Sequence, residues 1–302
     1  MPKVSICVPT YNNVEEVKHL LFSISQQSFK DYEIVITDDS TNMEIEDLVK
    51  HSQDNKIRYF HNETRLGHIY NWNAAIEKAA GEYIKIMFSD DWFTYPDSLL
   101  KYVNMLEENS EADFAFSNSM QVSSNDSYAR VISKSFLPGL KEDWRHIYLG
   151  NEIGAPSGTI YRNKGIMFDV RTNWASDLEL YLMLLESNPI FVSTKEPLIS
   201  IGLHQEQYTH MFSERDERIF QDYQYMYKKH HLWENENCRR YFLKEYVIKF
   251  SKGKKTAISC CISAQEYRSA KWEDIWYNKI LCYTKAAGRK LFGWRKKTEQ
   301  RK

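Results

Sequence analysis

The sequence predicts an α/β fold in which a mostly parallel central sheet is flanked by helices and followed by a helical C-terminal extension. Two observations carry this. Ahead of Asp91, short β-branched runs alternate four times with stretches of helical periodicity, which is the pattern of a parallel sheet covered on both faces. Beyond Ser213 the pattern changes, and Phe220, Tyr223, Tyr227, Tyr241, Phe242 and Tyr246 recur at helical core spacing.

The elements follow in order. Lys3 to Val8 is a buried-strand run stopped by Pro9, and Val14, Val17, Leu20, Leu21 and Ile24 then mark a helix with Asn13 at its N-cap. Glu33 to Thr37 is the second strand, ending in Asp38-Asp39-Ser40 before a helix through Ile45, Leu48 and Val49. A strand at Ile57 to Phe60, a helix from Ile69 to Ala80 closed by Gly81, and the run Gly81 to Phe88 complete the four units. A helix from Pro96 to Glu108 and a strand at Phe114 to Phe116 come next. Gln121 to Gly150 has weak periodicity and reads as loop-rich, Gly154 to Tyr161 resumes strand character, and Asp177 opens an amphipathic helix.

Ligands of such sheets bind beyond the carboxyl ends of the strands. Thr10-Tyr11, Asp38-Asp39 and Asp90-Asp91 stand at those ends and are expected on one rim. Two adjacent acids repel, and burying either unpaired costs several kcal/mol. They read either as a site for a hard cation such as magnesium or manganese, or as a solvated turn ahead of the helix after Pro96. Neither GxGxxG nor GxxxxGK[ST] occurs, which speaks against dinucleotide dehydrogenases and P-loop NTPases.

The 302 residues allow one large domain, or one domain with an appendage. With 42% hydrophobic and 27% charged residues the chain is an ordinary globular one, and no apolar run is long enough to span a bilayer. Met1-Pro2-Lys3 leads straight into a strand pattern without export-signal features, so a cytoplasmic protein is expected. The five cysteines show no metal-type pairing and read as reduced structural thiols. From Lys285 onward eight basic residues accompany only Glu299, so the net charge of −1 divides into a +7 tail and a −8 body. An acidic body does not suit a nucleic-acid binder. Between Trp272 and Trp294 apolar and basic residues interleave, which reads as an interfacial helix on an anionic membrane face or as a solvated helix end.

Five motifs in order carry a resemblance. Val4-Ser5-Ile6-Cys7-Val8-Pro9-Thr10-Tyr11-Asn12, Asp31 to Ser40, Gly81-Glu82-Tyr83-Ile84, Asp90-Asp91 and Gly154-Ala155-Pro156-Ser157-Gly158 together resemble the family 2-type glycosyltransferases of the GT-A fold, across residues 3–210. The resemblance implies a bacterial inverting enzyme of surface-glycan synthesis, of O-antigen or capsule type. Residues 1–212 would form the catalytic domain, with a nucleotide-sugar half at 1–119 and an acceptor half at 120–212. Residues 213–302 would form a helical extension. The donor would be a UDP- or dTDP-sugar, the cofactor Mn2+ or Mg2+, and the acceptor a glycan, possibly lipid-linked, at the inner face of the membrane.

Site residues follow from the same resemblance. Thr10 and Tyr11 would face the base, and Asp39 would accept a hydrogen bond from the imide N–H of uracil or thymine, a donor that cytosine lacks. The other reading of Asp39 is an Asx-turn cap. Arg65 would reach base or phosphate, or stand as a surface arginine. Asp91 would hold the metal and Asp90 the ribose or a metal-bound water, with His204 near the diphosphate or metal, or purely structural. Asp177 would be the catalytic base, or merely an N-cap, with Glu179 the weaker candidate. Trp72 and Trp174 read as sugar-stacking or core residues. The chain departs from the common pattern at Phe88, where many relatives carry a further acid, and at Ser176, where glutamate is usual. A silent sugar-nucleotide-binding protein and a nucleotidyltransferase are the rival readings.

Overall fold

The computed structural model describes residues 1–204, 212–213 and 215–274. It divides into two compact units, Met1–Met226 and Tyr227–Lys302. The interfacial-helix reading of Trp272 to Trp294 falls almost wholly outside the described residues.

The first unit is built on a sheet that has nine strands among the described residues. Strands β1 (Val4–Thr10), β2 (Tyr32–Asp38), β3 (Ile57–His61) and β4 (Tyr83–Ile86) form its parallel half, in the order β3-β2-β1-β4. Every residue of β1 and β2 is buried, as the unbroken apolar runs require of strands covered on both faces. Helices α1 (Val14–Ser25), α2 (Glu44–Ser52) and α3 (His68–Glu77) link these strands. Val17, Leu20 and Ile24 of α1 pack with Ile6, Val8 and Ile36 in one core cluster, joined by Leu99, Tyr102 and Leu106 of α4 (Ser98–Glu107). Each such aliphatic side chain contributes about 1.5–3 kcal/mol on full burial.

The second half of the sheet is mixed. Strands β8 (Thr159–Arg162), β6 (Phe114–Val122), β9 (Phe191–Gly202) and β5 (Asp91–Phe93) continue from β4, and β7 (Ser127–Arg130) pairs with β6. Only the β6–β9 ladder here is parallel. β9 contains Pro197, which cannot donate to a ladder, and the register slips around its partner Asn118. The loop-rich expectation for 121–150 meets β7, α5 (Phe136–Glu142) and a 3-10 helix, Trp144–Leu149. Pro138 and Gly139 lie inside α5 and mask its helical signature. Of the strand expected from Gly154, Pro156–Gly158 is a 3-10 turn and only Thr159 onward is strand.

Helix α7 (Glu217–Lys229) starts within the first unit and ends past its boundary. In the second unit, α8 (Glu236–Tyr241) runs into a π-helical turn, Phe242–Ile248, and α9 (Gly253–Ser259) follows. Tyr227 stacks on Phe242 at 4.3 Å, extending the aromatic column that the sequence pattern predicts. Cys238 and Cys260 are buried here, as Cys7 is in the first unit, whereas Cys261 is exposed.

Candidate active site

The parallel register brings Thr10 opposite Asp38, and the chain leaving β4 emerges beside them, with the Met87 amide donating to the Cys7 carbonyl at 2.9 Å. A cavity of about 410 Å³ opens at this rim. It is lined by Thr10, Tyr11, Asp39, Arg65, Asp90, Asp177 and His204, and so brings together seven of the predicted site residues. Asp91 does not line it.

At the first end, Asp38 is a fastening. Its buried carboxylate accepts from Thr10 Oγ1 at 3.0 Å, the Ser40 amide at 2.9 Å and Tyr59 Oη at 2.7 Å. Asp39 faces the cavity while accepting from Asn62 Nδ2 at 2.7 Å and from the amides of Leu66 at 3.1 Å and Gly67 at 2.8 Å. A carboxylate offers about four lone-pair sites, so one remains for a ligand. The Asx-turn alternative does not describe this carboxylate, whose partners lie 23 to 28 residues away. Arg65 lies 4.1 Å above the 40%-exposed ring of Tyr11. Asn13 stands at the N-cap of α1, but its side-chain amide donates to Glu16 and Ser89 instead of capping the helix.

Across the cavity, Asp90 Oδ2 stands 3.0 Å from His204 Nε2. The antiparallel pairing of Asp91 with Ile201 sets up this contact. Gly202 permits it, because a β-carbon there would lie 2.4 Å from the Asp90 carbonyl oxygen. Asp91, 2% exposed, is turned into the interior. Burial and then the Asp90 charge push its carboxyl well above the usual range, while Ser157, the Gly202 amide and Lys85 pull it down. Lys85 is itself fully buried and pushed well below an ordinary lysine, with its ammonium donating to the Ser157 carbonyl.

The third group is Asp177, in the first turn of α6 (Ser176–Ser187). It accepts from Asn151 Nδ2 and from the Leu178 amide, each at 2.7 Å. Burial pushes it up to about 6 against the pull of the Leu178 amide, the Arg130 charge and Asn151. Glu179 is wholly buried and does not line the cavity. Trp72, Phe88 and Trp174 form an aromatic wall, with Trp72 and Phe88 at 4.8 Å. Residues beyond the sequence reading also take part. His68 lines the cavity and bonds to the Asn173 backbone, and burial holds its imidazole below the usual range.

The donor set suits a hard dication. Among the described residues no three ligating side chains cluster, yet Asp90 and His204 present two donors side by side. Magnesium is commonly held by one or two carboxylates together with substrate phosphates and water, so a sparse protein set fits. No helix among the described residues is long and apolar enough to cross a membrane.

Residues 5–174 match glycosyl transferase family 2, and the chain belongs to that family. It is therefore a glycosyltransferase, with the GT-A fold. It is 28% identical over 234 residues to the putative colanic acid biosynthesis glycosyl transferase WcaA of Escherichia coli K12, covering 76% of this chain and 81% of that one. It is 35% identical over 94 residues, 30% of each chain, to the GalNAc(5)-diNAcBac-PP-undecaprenol beta-1,3-glucosyltransferase of Campylobacter jejuni. An uncharacterized glycosyltransferase of Rickettsia felis is 31% identical over 140 residues, where the match spans 45% of this chain and 22% of that protein. The fold is shared with S. aureus TarS 1–349 in complex with UDP-GlcNAc (TM-score 0.62, 18% identity, 89% of this chain and 79% of that one). It is also shared with the mannosyltransferase PcManGT from Pyrobaculum calidifontis in complex with GDP-Man and Mn2+ (TM-score 0.56, 14% identity, 95% and 80%).

Proposed function

We propose that the chain inverts configuration as it moves a sugar from a UDP- or dTDP-linked donor to a hydroxyl of a growing, lipid-linked surface glycan. One observation carries this reading: a single cavity is lined by the Asp39 carboxylate, the Asp90–His204 pair and the buried Asp177. The relative named as acting on an undecaprenol-linked glycan and the neighbour bound to UDP-GlcNAc support the acceptor and donor classes. Residues 1–119 serve as the donor half, 120–212 as the acceptor half and 213–302 as an extension. Its basic tail contacts the anionic cytoplasmic face of the inner membrane.

Thr10, Tyr11, Arg65 and Asp39 bind the nucleotide, with the remaining lone pair of Asp39 accepting the imide N–H. Asp90 and His204 would hold Mn2+ or Mg2+, in place of the Asp91 that the resemblance implies, because Asp91 is turned into the interior and does not line the cavity. A cation held there would supply Lewis-acid neutralisation of the diphosphate. Asp177 takes the proton of the acceptor hydroxyl. The acceptor's hydroxyl oxygen bonds to the anomeric carbon as the bond from that carbon to the diphosphate oxygen breaks on the opposite face, and the electron pair departs with the nucleoside diphosphate. A base held near 6 is ionised at neutral pH yet more basic than an ordinary aspartate.

The test is nucleoside diphosphate release from a panel of UDP- and dTDP-sugars. Release that needs both metal and acceptor, and that is lost in Asp177→Asn while UDP binding persists, supports the reading. Unaltered turnover in that variant rejects the assigned base.

A further inference from the structure

Helix α7 lies beyond the stretch that matches the family, yet it places Asp222 against the entry to α6. Asp222 is 1% exposed. One carboxylate oxygen accepts from the amides of Asn173 at 3.0 Å, Trp174 at 2.7 Å and Ala175 at 3.0 Å, and the other accepts from Asn173 at 3.1 Å. Three successive amides thus converge on one buried anion, a cradle of the kind backbone nests form. Burial pushes Asp222 up, and those amides pull it back.

These three amides lead up to the helix. Its N-cap residue, Ala175, has no side-chain acceptor of its own, and inside the first turn the Leu178 amide is taken by Asp177. Asn173, Trp174 and Ser176 all line the cavity, and Asp177 follows them directly. Among the described residues, Arg130 from β7, Asn151 and the Tyr181 hydroxyl face Asp177, and Arg130 carries the charge that opposes its own. These groups orient the carboxylate, whereas the path of the backbone that delivers it is held by Asp222.

We propose that Asp222 is a positioning residue for the transfer reaction, an anion lent by α7 that fixes the 173–177 segment and thereby the placement of Asp177. The inference rests on the reading of Asp177 as the base. It makes α7 part of the catalytic apparatus.

The experiment uses the full chain with Asp222→Asn and Asp222→Ala, and Asp177→Asn in parallel. UDP binding with Mn2+ is measured by calorimetry, and UDP release from UDP-glucose or UDP-N-acetylglucosamine by turnover. Misplacing a reacting group by about 1 Å costs on the order of 10²-fold, so Asp222→Ala is expected to lose about 10- to 100-fold in kcat with the UDP Kd within about twofold. Asp222→Asn keeps an acceptor oxygen and is expected to recover part of that loss. A folded Asp222→Ala protein with unchanged kcat overturns the proposal. If the alanine variant does not fold, unchanged kcat in Asp222→Asn does so. Where neither donor is turned over, carbon-13 NMR titration of the Asp177 carboxyl decides: a midpoint displaced in Asp222→Asn supports the proposal, and a superimposable curve overturns it. Full turnover in Asp177→Asn rejects the base assignment instead, whatever Asp222 does.

Discussion

Asp90 and His204 meet at 3.0 Å although 114 residues separate them in the chain. The meeting is made by β5 and β9, whose antiparallel pairing brings the end of the sheet's last long strand back to the turn after β4. The two side chains face the cavity from opposite parts of the sequence, while Asp91 faces inward.

That division separates two substitutions. Asp90→Ala is expected to lower metal-dependent transfer by about 10²-fold, the scale for losing one electrostatic stabiliser of a departing charge, and to weaken UDP binding in Mn2+ but not in chelator. Asp91→Ala leaves the Ser157 hydroxyl without this acceptor, at about 1–3 kcal/mol. Its signature is a lowered unfolding midpoint, read by calorimetry, and isothermal titration of Mn2+ with UDP tells the two apart.

The pH profile of kcat/KM should show an acid limb near 6, because Asp177 must be ionised to accept a proton and burial pushes it up to about 6. Arg130→Gln removes a cation that favours the ionised form, so the limb should move to higher pH. Stability runs the other way. A carboxyl raised above its ordinary 3.8 favours folding fully only below about pH 4, and that contribution fades as pH rises through 6. Asp177→Asn should therefore be inactive and more stable at pH 7, by up to about 3 kcal/mol. A variant less stable than the native chain in thermal unfolding would contradict this.

Asp39→Asn keeps the shape but presents a neutral amide. Hydrogen bonds to charged groups contribute about 1.5–3 kcal/mol, so the preference for UDP over CDP should fall by about tenfold or more. Competition binding of the two nucleotides measures it, and an unchanged ratio would remove Asp39 from base recognition.

Removal of residues from Lys285 onward should abolish co-sedimentation with anionic liposomes and leave UDP binding intact. Each basic residue near such a surface contributes about 1 kcal/mol. Retained co-sedimentation would dismiss the membrane contact.

The parallel half of the fold is readable because β1, β2 and β4 carry their own signatures, and the periodic run Val14 to Ile24 falls within α1, which it starts. The rim position of strand-end polar residues, together with the resemblance, pointed to Thr10, Tyr11, Asp39, Asp90 and Asp177. Which of two adjacent acids faces the cavity depends on how β5 twists onto β9, and three residues of strand carry no such signal. Asn151 and Asp222 were invisible for a related reason. Asn151 reaches Asp177 across 26 residues and Asp222 reaches the α6 entry across 47 to 49, and no local pattern distinguishes an acceptor for distant amides from a solvated one.

The hold of Asp39 on Leu66 and Gly67 makes that end of the cavity a socket fixed by the chain's own hydrogen bonds. The loop bearing Arg65 is held over Tyr11 by the chain's own contacts, so a nucleotide bound there, as proposed, would order little new backbone and its conformational entropy penalty would be small. On that proposal, a nucleotide whose base lacks an imide proton would meet an anionic wall with an unanswered lone pair, and the socket would reject it by what it leaves unsatisfied rather than by its shape.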